Sequence, residues 1–263
     1  MIVAIQYYEG DRTRAIHLAR LLADLEPKPR NDVLLAFVRK PDTLPSKEIN
    51  SSLSYCSQKF PVKEVVTDDR WRAQGWPKAC GELWAGTVEY FNHLFEEKQT
   101  QHHSMFVCDG GDGVPLHPNW IDLMAREHEH TIAMKRLITG TPFAVGTPLL
   151  INPNTILHLS LWTKYPSLCH VPDYDGTVDT CYDAYHRFTF LKECSASSII
   201  HTDWQGRSQK ICLDIMQERS QRSVWLHGYH DEELYDVARE HLAKKQDPPT
   251  LFRYNLNMFL PEP

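Results

Sequence analysis

Short apolar segments alternate with amphipathic helical segments along the first half of the chain. The apolar segments, each bounded by glycine, proline or charged residues, are 1–8, 32–40, 60–66 and 105–108. Helical spacing of apolar residues marks 14–26, 81–98 and 118–130. Strands that alternate with helices form mostly parallel sheets covered on both faces. We therefore expect an α/β fold with a mostly parallel central sheet flanked by helices.

The second half predicts a more mixed arrangement. Residues 141–156 read as one or two strands interrupted at 146–148, and residues 197–203 read as another strand. We expect helices near 153–164, 178–192 and 231–245. The C-terminal residues 251–263 are expected to form a surface-docked or mobile strap.

Composition excludes several classes of protein. No apolar run in the 263 residues approaches the roughly 20 needed to cross a bilayer, and the N-terminus lacks the features of a secretory signal. We therefore expect a cytoplasmic protein with no membrane partner. The seven cysteines are scattered without a C-x-x-C pair, which argues against a disulfide framework and a structural zinc site. The net charge of −6 gives no global attraction to nucleic acid.

Two aspartates follow the apolar segment 105–108, in the loop sequence DGGDG. Ligands of α/β sheets bind beyond the carboxyl ends of the strands, so Asp109 and Asp112 are placed to hold Mg²⁺ or Mn²⁺. His227, which follows an apolar segment and precedes Gly228, is a candidate imidazole ligand for the same metal. Such a metal keeps coordination positions open for phosphate oxygens. The predicted substrate is therefore a nucleoside diphosphate or triphosphate compound. The alternatives are aspartates that shape a turn and a histidine that is only structural.

Five segments together resemble the GT-A glycosyltransferases. In chain order they are YYEGD (7–11), GWPKACGELW (75–84), FVCDGGDGVPL (106–116), AVGTPLLINP (144–153) and LHGYHDEEL (226–234). The resemblance implies one Rossmann-like GT-A domain over 1–263, with a nucleotide-sugar-binding half (1–130), a mixed acceptor-binding half (131–245) and a tail (246–263). The family motif is usually D-x-D, whereas this chain has D-G-G-D. That spacing leaves open whether both aspartates contact the metal directly.

The resemblance also implies a role for individual residues. The metal, Mn²⁺ or Mg²⁺, is expected on Asp109, Asp112 and His227. The nucleotide-sugar donor, a UDP-sugar by preference, is expected on Tyr7, Tyr8, Asp11, Arg39, Trp76, Lys78, Asp109, Gly110 and Gly111, where aromatic rings suit a base and cations suit phosphates. The acceptor is expected on Gly146, Thr147, Tyr174 and Trp204. For an inverting hexosyltransferase-like reaction the base that takes the acceptor proton is Asp179, with Asp175 second, although Asp179 also suits a helix N-cap.

The acceptor is the least constrained part of this interpretation. The segments GDRTRAIHLARLLADLE (10–26) and HGYHDEEL (227–234) are similar to those of viral enzymes that glycosylate modified DNA bases, with His230 in place of a lysine. This favours a phage enzyme acting in the host cytoplasm on a hydroxymethylated pyrimidine, while a small molecule, glycan or protein remain alternative acceptors. A retaining reaction stays open. Two other functions are alternatives. A nucleotidyltransferase would need a Gly-rich loop after the first strand, where YYEGDRTR (7–14) has only one glycine. A non-enzymatic nucleic-acid-binding or partner-binding module would need a continuous basic face.

Overall fold

A computed structural model of the protein describes residues 1–70, 78–108, 111–144, 149–151, 154–165, 193–203, 210–231, 233–244 and 247–254. The strands are β1 (Ile2–Gln6), β2 (Leu34–Arg39), β3 (Val62–Val66), β4 (Ser104–Cys108), β5 (Gly113–Pro115), β6 (Ile138–Gly140), β7 (Pro142–Ala144), β8 (Leu149–Ile151), β9 (Thr155–His158), β10 (Cys194–Ser197), β11 (Ile200–Thr202), β12 (Trp225–His227) and β13 (Arg253–Tyr254). The helices are α1 (Arg12–Leu25), α2 (Lys47–Cys56), α3 (Lys78–Glu96), α4 (Trp120–Ala133), α5 (Leu161–Lys164), α6 (Leu213–Ser220) and α7 (Leu234–Leu242). None of these helices is long and apolar enough to span a bilayer.

Eight strands form the central sheet, in the order β13-β10-β6-β9-β4-β1-β2-β3. Strands β3, β2, β1 and β4 are parallel neighbours, and β10 is parallel to β6. Strand β9 runs antiparallel to both β4 and β6, so it joins these two parallel blocks. The edge strand β13 is also antiparallel to its neighbour. The predicted mostly parallel α/β sheet is confirmed.

A smaller sheet of three strands, in the order β11-β12-β5, stands beside the central sheet. Strand β5 is antiparallel to β12, and Gly113 pairs with His227. This register brings the loop after β4 next to the carboxyl end of β12. A separate hairpin is formed by β7 and β8.

Apolar side chains cover both faces of the central sheet. Alternate residues of β1 point to opposite faces, so Val3 and Ile5 pack in one cluster while Ile2 and Ala4 pack in the other. The first cluster includes residues of α1, α2, α4 and α7, and the second includes residues of α3 and α5. This two-sided burial explains why the strands of the first half are continuous apolar segments.

Part of the predicted second half is wrong. Residues 155–158, predicted as helix, form β9, and only the short α5 follows. The two strands predicted for 141–156, interrupted at 146–148, agree with β7 and β8, and β9 follows them. Helices α2 and α6 and strands β5, β6 and β10 are not predicted from the sequence, and the predicted strand at 197–203 corresponds to β11. The predicted helix at 178–192 lies outside the described residues, and the predicted C-terminal strap begins with β13.

Candidate functional site

Gly111, two residues before β5, packs closely on α1. Gly111 has a φ of +68°, a left-handed conformation that favours glycine. A Cβ on Gly111 would lie 2.8 Å from both the backbone nitrogen of Ala15 and the carbonyl carbon of Arg14. The Tyr235 hydroxyl, from α7, donates a hydrogen bond to the Gly111 carbonyl. Only glycine therefore lets this loop approach the first turn of α1 so closely.

The next residue, Asp112, lies against the loop that follows β12. Its backbone carbonyl accepts hydrogen bonds from the amides of Gly228 at 3.2 Å and Tyr229 at 3.3 Å. Its side-chain Oδ1 lies 3.2 Å from His227 Nε2, and its Oδ2 lies 3.4 Å from His230 Nε2. The aspartate loop and the C-terminal histidines, distant in sequence, therefore form one cluster.

Positive and polar neighbours keep Asp112 ionised. Burial alone would raise the pKa of this carboxyl, but the attraction of His227, then of His230 and Arg14, outweighs it and holds the pKa below its usual value. Arg14 completes the network, because its Nη1 lies 2.7 Å from His230 Nδ1 and its other terminal nitrogen pairs with Asp11. Ionised carboxylate is the form that binds cations.

The described residues supply only part of a set of metal ligands. The carboxylate of Asp112 and the imidazole of His227 are ligands that Mn²⁺ accepts, and their atoms already lie close together. In the described ranges no group of three histidine, cysteine or acidic side chains has the geometry to hold a metal ion. Asp109, the other predicted ligand, lies outside those ranges. Asp112 and His227 therefore fit as two ligands of an incomplete set.

The loop after β12 has its own support. Gly228 has a φ of +101°, and a Cβ there would lie 2.8 Å from the Asp203 carbonyl oxygen. The Asp203 amide donates to the His227 carbonyl at 3.0 Å, and the Tyr229 hydroxyl donates to Asp203 Oδ2 at 3.0 Å. These contacts fix the backbone on both sides of His227.

The predicted donor-binding residues at the first two strands separate into buried and accessible groups. Tyr7 is fully buried against Phe37, and Arg39 is buried and donates to Glu64 at 2.8 Å and to the Thr43 carbonyl at 2.7 Å. Tyr8 is 46% exposed. The accessible aromatic face at this edge of the sheet therefore belongs to Tyr8, while Tyr7 and Arg39 are engaged in the core.

Asp11 and Lys78 are placed differently from the accessible Tyr8. Asp11 is buried next to the cluster through its pairing with Arg14. Lys78 is the first residue of α3. The other predicted site residues lie outside the described ranges: Trp76, Asp109, Gly110, Gly146, Thr147, Tyr174, Asp175, Asp179 and Trp204.

The sequence does not indicate Arg14 or Tyr235 as contributors to the cluster, and it indicates His230 only as a replacement for a lysine. Arg14 stands three residues after Asp11 at the start of a helix, a spacing that places the two side chains on one face. The three-residue step from His227 to His230 was a similar available signal. Nothing in the sequence around Tyr235 indicated its contact with Gly111.

Comparisons with known proteins give structural matches only. No protein-family profile matches the sequence, and no curated protein matches it. Among solved structures, the galactosyltransferase LgtC, in complex with donor and acceptor sugar analogues, matches with a TM-score of 0.58 at 8% identity, over 94% of this chain and 98% of that one. Mouse xyloside xylosyltransferase 1 matches with a TM-score of 0.51 at 11% identity, over 87% and 98%.

A third structure, residues 1–349 of TarS from S. aureus, matches with a TM-score of 0.50 at 11% identity, over 91% of this chain and 63% of that one. Identities this low support an argument about the fold alone. The mostly parallel sheet, its flanking helices and the small mixed sheet agree with the fold of the galactosyltransferase. The chain therefore has the Rossmann-like GT-A fold of glycosyltransferases.

Proposed function

We propose that the protein is a metal-dependent glycosyltransferase that moves a sugar from a nucleotide-sugar to an acceptor hydroxyl. The observation that carries the proposal is the meeting of Asp112 and His227 at the carboxyl edge of the sheet, where α/β folds bind ligands. The fold adds support, because two structural neighbours are named as a galactosyltransferase and a xylosyltransferase. A fold alone does not define an activity, so the proposal rests on the site.

In this proposal Asp112 and His227, together with Asp109, hold Mn²⁺ or Mg²⁺. The bound cation supplies positive charge to the diphosphate of the leaving group. Asp112 is suited to this role because its carboxyl group is ionised at neutral pH, the form that binds cations. Its backbone, bonded to Gly228 and Tyr229, keeps the carboxylate and the imidazole in one place before the donor binds.

The donor is proposed to lie across the carboxyl ends of β1 and β4. Tyr8 offers an accessible ring on which the nucleobase stacks, and uridine is the proposed base. Gly110 and Gly111 are the proposed backbone contacts of the sugar-phosphate. Arg14 holds Asp11 and His230 at once and so fixes the wall of the site beside the phosphates.

The acceptor side is proposed from the sequence alone. Asp179, or else Asp175, takes the proton of the acceptor hydroxyl in an inverting attack. Gly146, Thr147, Tyr174 and Trp204 are the proposed acceptor contacts. The proposed acceptor is a hydroxymethylated pyrimidine in DNA, for which aromatic side chains would hold the flipped base.

A thermal-shift experiment tests donor and metal binding together. We expect UDP and UDP-sugars to raise the melting temperature of the protein in Mn²⁺ and to have little effect in EDTA, because ligands that bind only the folded state stabilise it. At a ligand concentration of 100 times Kd the gain is about 2.7 kcal/mol. Asp112→Asn should abolish the metal-dependent part, since the amide removes the anionic ligand.

The matched control is Asp236→Asn, which changes an 84% exposed aspartate on α7. This variant should keep the full nucleotide shift. No shift with any nucleotide, with or without Mn²⁺, would contradict the proposed donor class, and a full shift in Asp112→Asn would contradict the proposed metal site.

Mass analysis of nucleosides tests the acceptor. Duplexes with and without hydroxymethylated pyrimidines are incubated with a mixture of UDP-sugars and Mn²⁺ and then digested. Only the hydroxymethylated nucleoside should gain the mass of a sugar. Sugar transfer to a glycan or small molecule but not to either duplex would reject the DNA acceptor and leave the transferase in place.

A further inference from the structure

Arginine side chains line a cavity that does not include the Asp112 cluster. It has a volume of about 540 Å³, within the usual range for small-molecule sites, and shares no residue with that cluster. It is bounded by the turn between β10 and β11, the C-terminal end of α6 and the segment that enters β13. The lining residues are Ser198, His201, Glu218, Arg219, Gln221, Arg222, Ser223, Phe252 and Arg253.

Arg219 presents a buried donor with no acceptor. Its Nε is buried and makes no hydrogen bond to any described residue. Its Nη1 contacts Glu218 at 2.8 Å in an exposed pair, and its other terminal nitrogen lies 3.9 Å from Asp203. Because Nε is buried while the side chain as a whole is 30% exposed, the terminal nitrogens are the donors of Arg219 that a ligand in the cavity reaches.

Arg222 carries a charge that no carboxylate of the described residues balances at salt-bridge distance. Its guanidinium lies 5.4 Å from the centroid of the Phe252 ring, which is 47% exposed. Both segments are fixed by Ser198, whose hydroxyl donates to the Arg222 carbonyl at 2.6 Å and accepts from the Phe252 amide at 2.9 Å. The guanidinium is therefore held on a stable backbone beside an apolar wall.

Arg253 is oriented by a buried partner. Its Nε and Nη2 donate to the two carboxylate oxygens of Glu127, at 3.1 and 2.9 Å, and Glu127 is only 4% exposed. This two-point contact uses one edge of the guanidinium and leaves its remaining N–H groups for other acceptors. The side chain itself is 52% exposed.

We propose that this cavity binds a phosphate group. Three arginines line the cavity, and among the described residues the charge of Arg222 has no carboxylate at salt-bridge distance. The planar donors of arginine match phosphate oxygens in pairs. The volume exceeds that of phosphate alone, so an ester group has room beside Phe252. The cavity is a second site, separate from the proposed donor site.

Calorimetric titration tests the proposal directly. Inorganic phosphate is titrated into the full chain at constant ionic strength in a chloride buffer, without divalent metal or nucleotide. We expect saturable binding that is weakened about tenfold or more by Arg222→Gln and by Arg219→Gln, since each removes a charge-assisted pair of hydrogen bonds. Circular dichroism and the melting temperature in chloride check that both variants are folded.

Two controls separate this site from general charge and from the proposed donor site. Arg239→Gln removes a 43% exposed arginine on α7, and Asp112→Asn alters the proposed metal site. Both should bind phosphate as the unaltered protein does. Absence of phosphate binding, or equal weakening by Arg239→Gln and Arg222→Gln, would overturn the proposal, whatever the nucleotide experiments show.

A second titration with phenyl phosphate identifies the source of the phosphate group. If the natural ligand is an ester, phenyl phosphate should bind several times more tightly than phosphate, and Phe252→Ala should remove the difference. Equal affinities identify free phosphate as the ligand. Either result supports a phosphate site, and the failure of both anions to bind excludes it.

Discussion

At the scale of single residues, Gly111 is a position of the candidate site that tolerates no side chain. Both its positive φ and its contact with Ala15 exclude a side chain. We predict that Gly111→Ala lowers the free energy of unfolding by about 1–3 kcal/mol, the usual cost of a strained backbone conformation. Urea unfolding measures this loss. The same variant should weaken metal-dependent nucleotide binding, because the neighbouring Asp112 would be displaced.

Gly10→Ala is the matched control for that variant. Gly10 has no positive φ, and a Cβ there would lie 3.3 Å from a ring atom of Tyr8, a side chain that is partly exposed. Its effect on stability should be within about 0.5 kcal/mol. Equal losses in the two variants would show that the close approach of Gly111 to α1 does not constrain the loop.

The sequence indicated some residues of the site and not others. Asp112 and His227 were found because each combines a metal-binding side chain with a strand end and a glycine. Arg14 was missed because a charge on the first turn of a helix is ordinary. Tyr7 and Tyr8 are adjacent in sequence. Only the structure shows that Tyr7 packs on the same face of the sheet as Val3 and Ile5, whereas Tyr8 is exposed to solvent.

At the scale of elements, α2 owes its start to one side chain. The Ser46 hydroxyl accepts hydrogen bonds from the amides of Glu48 at 3.1 Å and Ile49 at 3.3 Å. We predict that Ser46→Ala lowers the free energy of unfolding by about 1 kcal/mol through loss of this N-cap. Ser54→Ala, at an exposed position inside the same helix, should be neutral or slightly stabilising. Denaturant unfolding of both variants measures the difference, and equal effects would contradict the capping role.

Helix α2 and strand β9 show where local sequence is insufficient. In α2 the apolar residues Ile49, Leu53 and Cys56 have helical spacing, but serines and charges dilute the pattern. In β9 the sequence TILH is too short to show a period. It becomes a strand because it pairs on both sides with β4 and β6. The strands of the first half were predictable because they are long apolar segments buried on both faces.

At the scale of the whole molecule, buried histidines set the response to acid. Burial lowers the pKa of His128 from 6.5 to about 3, and burial also lowers the pKa of His117 and His241. Between pH 6.5 and about pH 3, His128 therefore binds a proton in the unfolded chain that it does not bind in the folded protein. Stability therefore falls as pH falls below about 6.5, by up to about 1.4 kcal/mol per pH unit for each such group.

We predict that His128→Gln reduces the slope of unfolding free energy against pH between pH 6.5 and 4.5. The slope is the decisive measurement, because the substitution also changes the contact between His128 Nδ1 and Thr139 Oγ1 at 2.8 Å and so the absolute stability. His93→Gln, which alters a 66% exposed histidine, is the control and should leave the slope unchanged. Parallel curves for the His128 variant and the unaltered protein would refute the argument.

The antiparallel strand β9 prevents the two halves of the chain from being separated into independent fragments. Its hydrogen bonds go to β4, from the first half of the chain, and to β6, from the second. A fragment ending near residue 130 would leave the outer side of β4 as a row of unsatisfied amides and carbonyls, flanked by the buried side chains Phe106 and Val107. We expect such a fragment to self-associate rather than fold alone, so any truncated or engineered form must keep β4, β6 and β9 together.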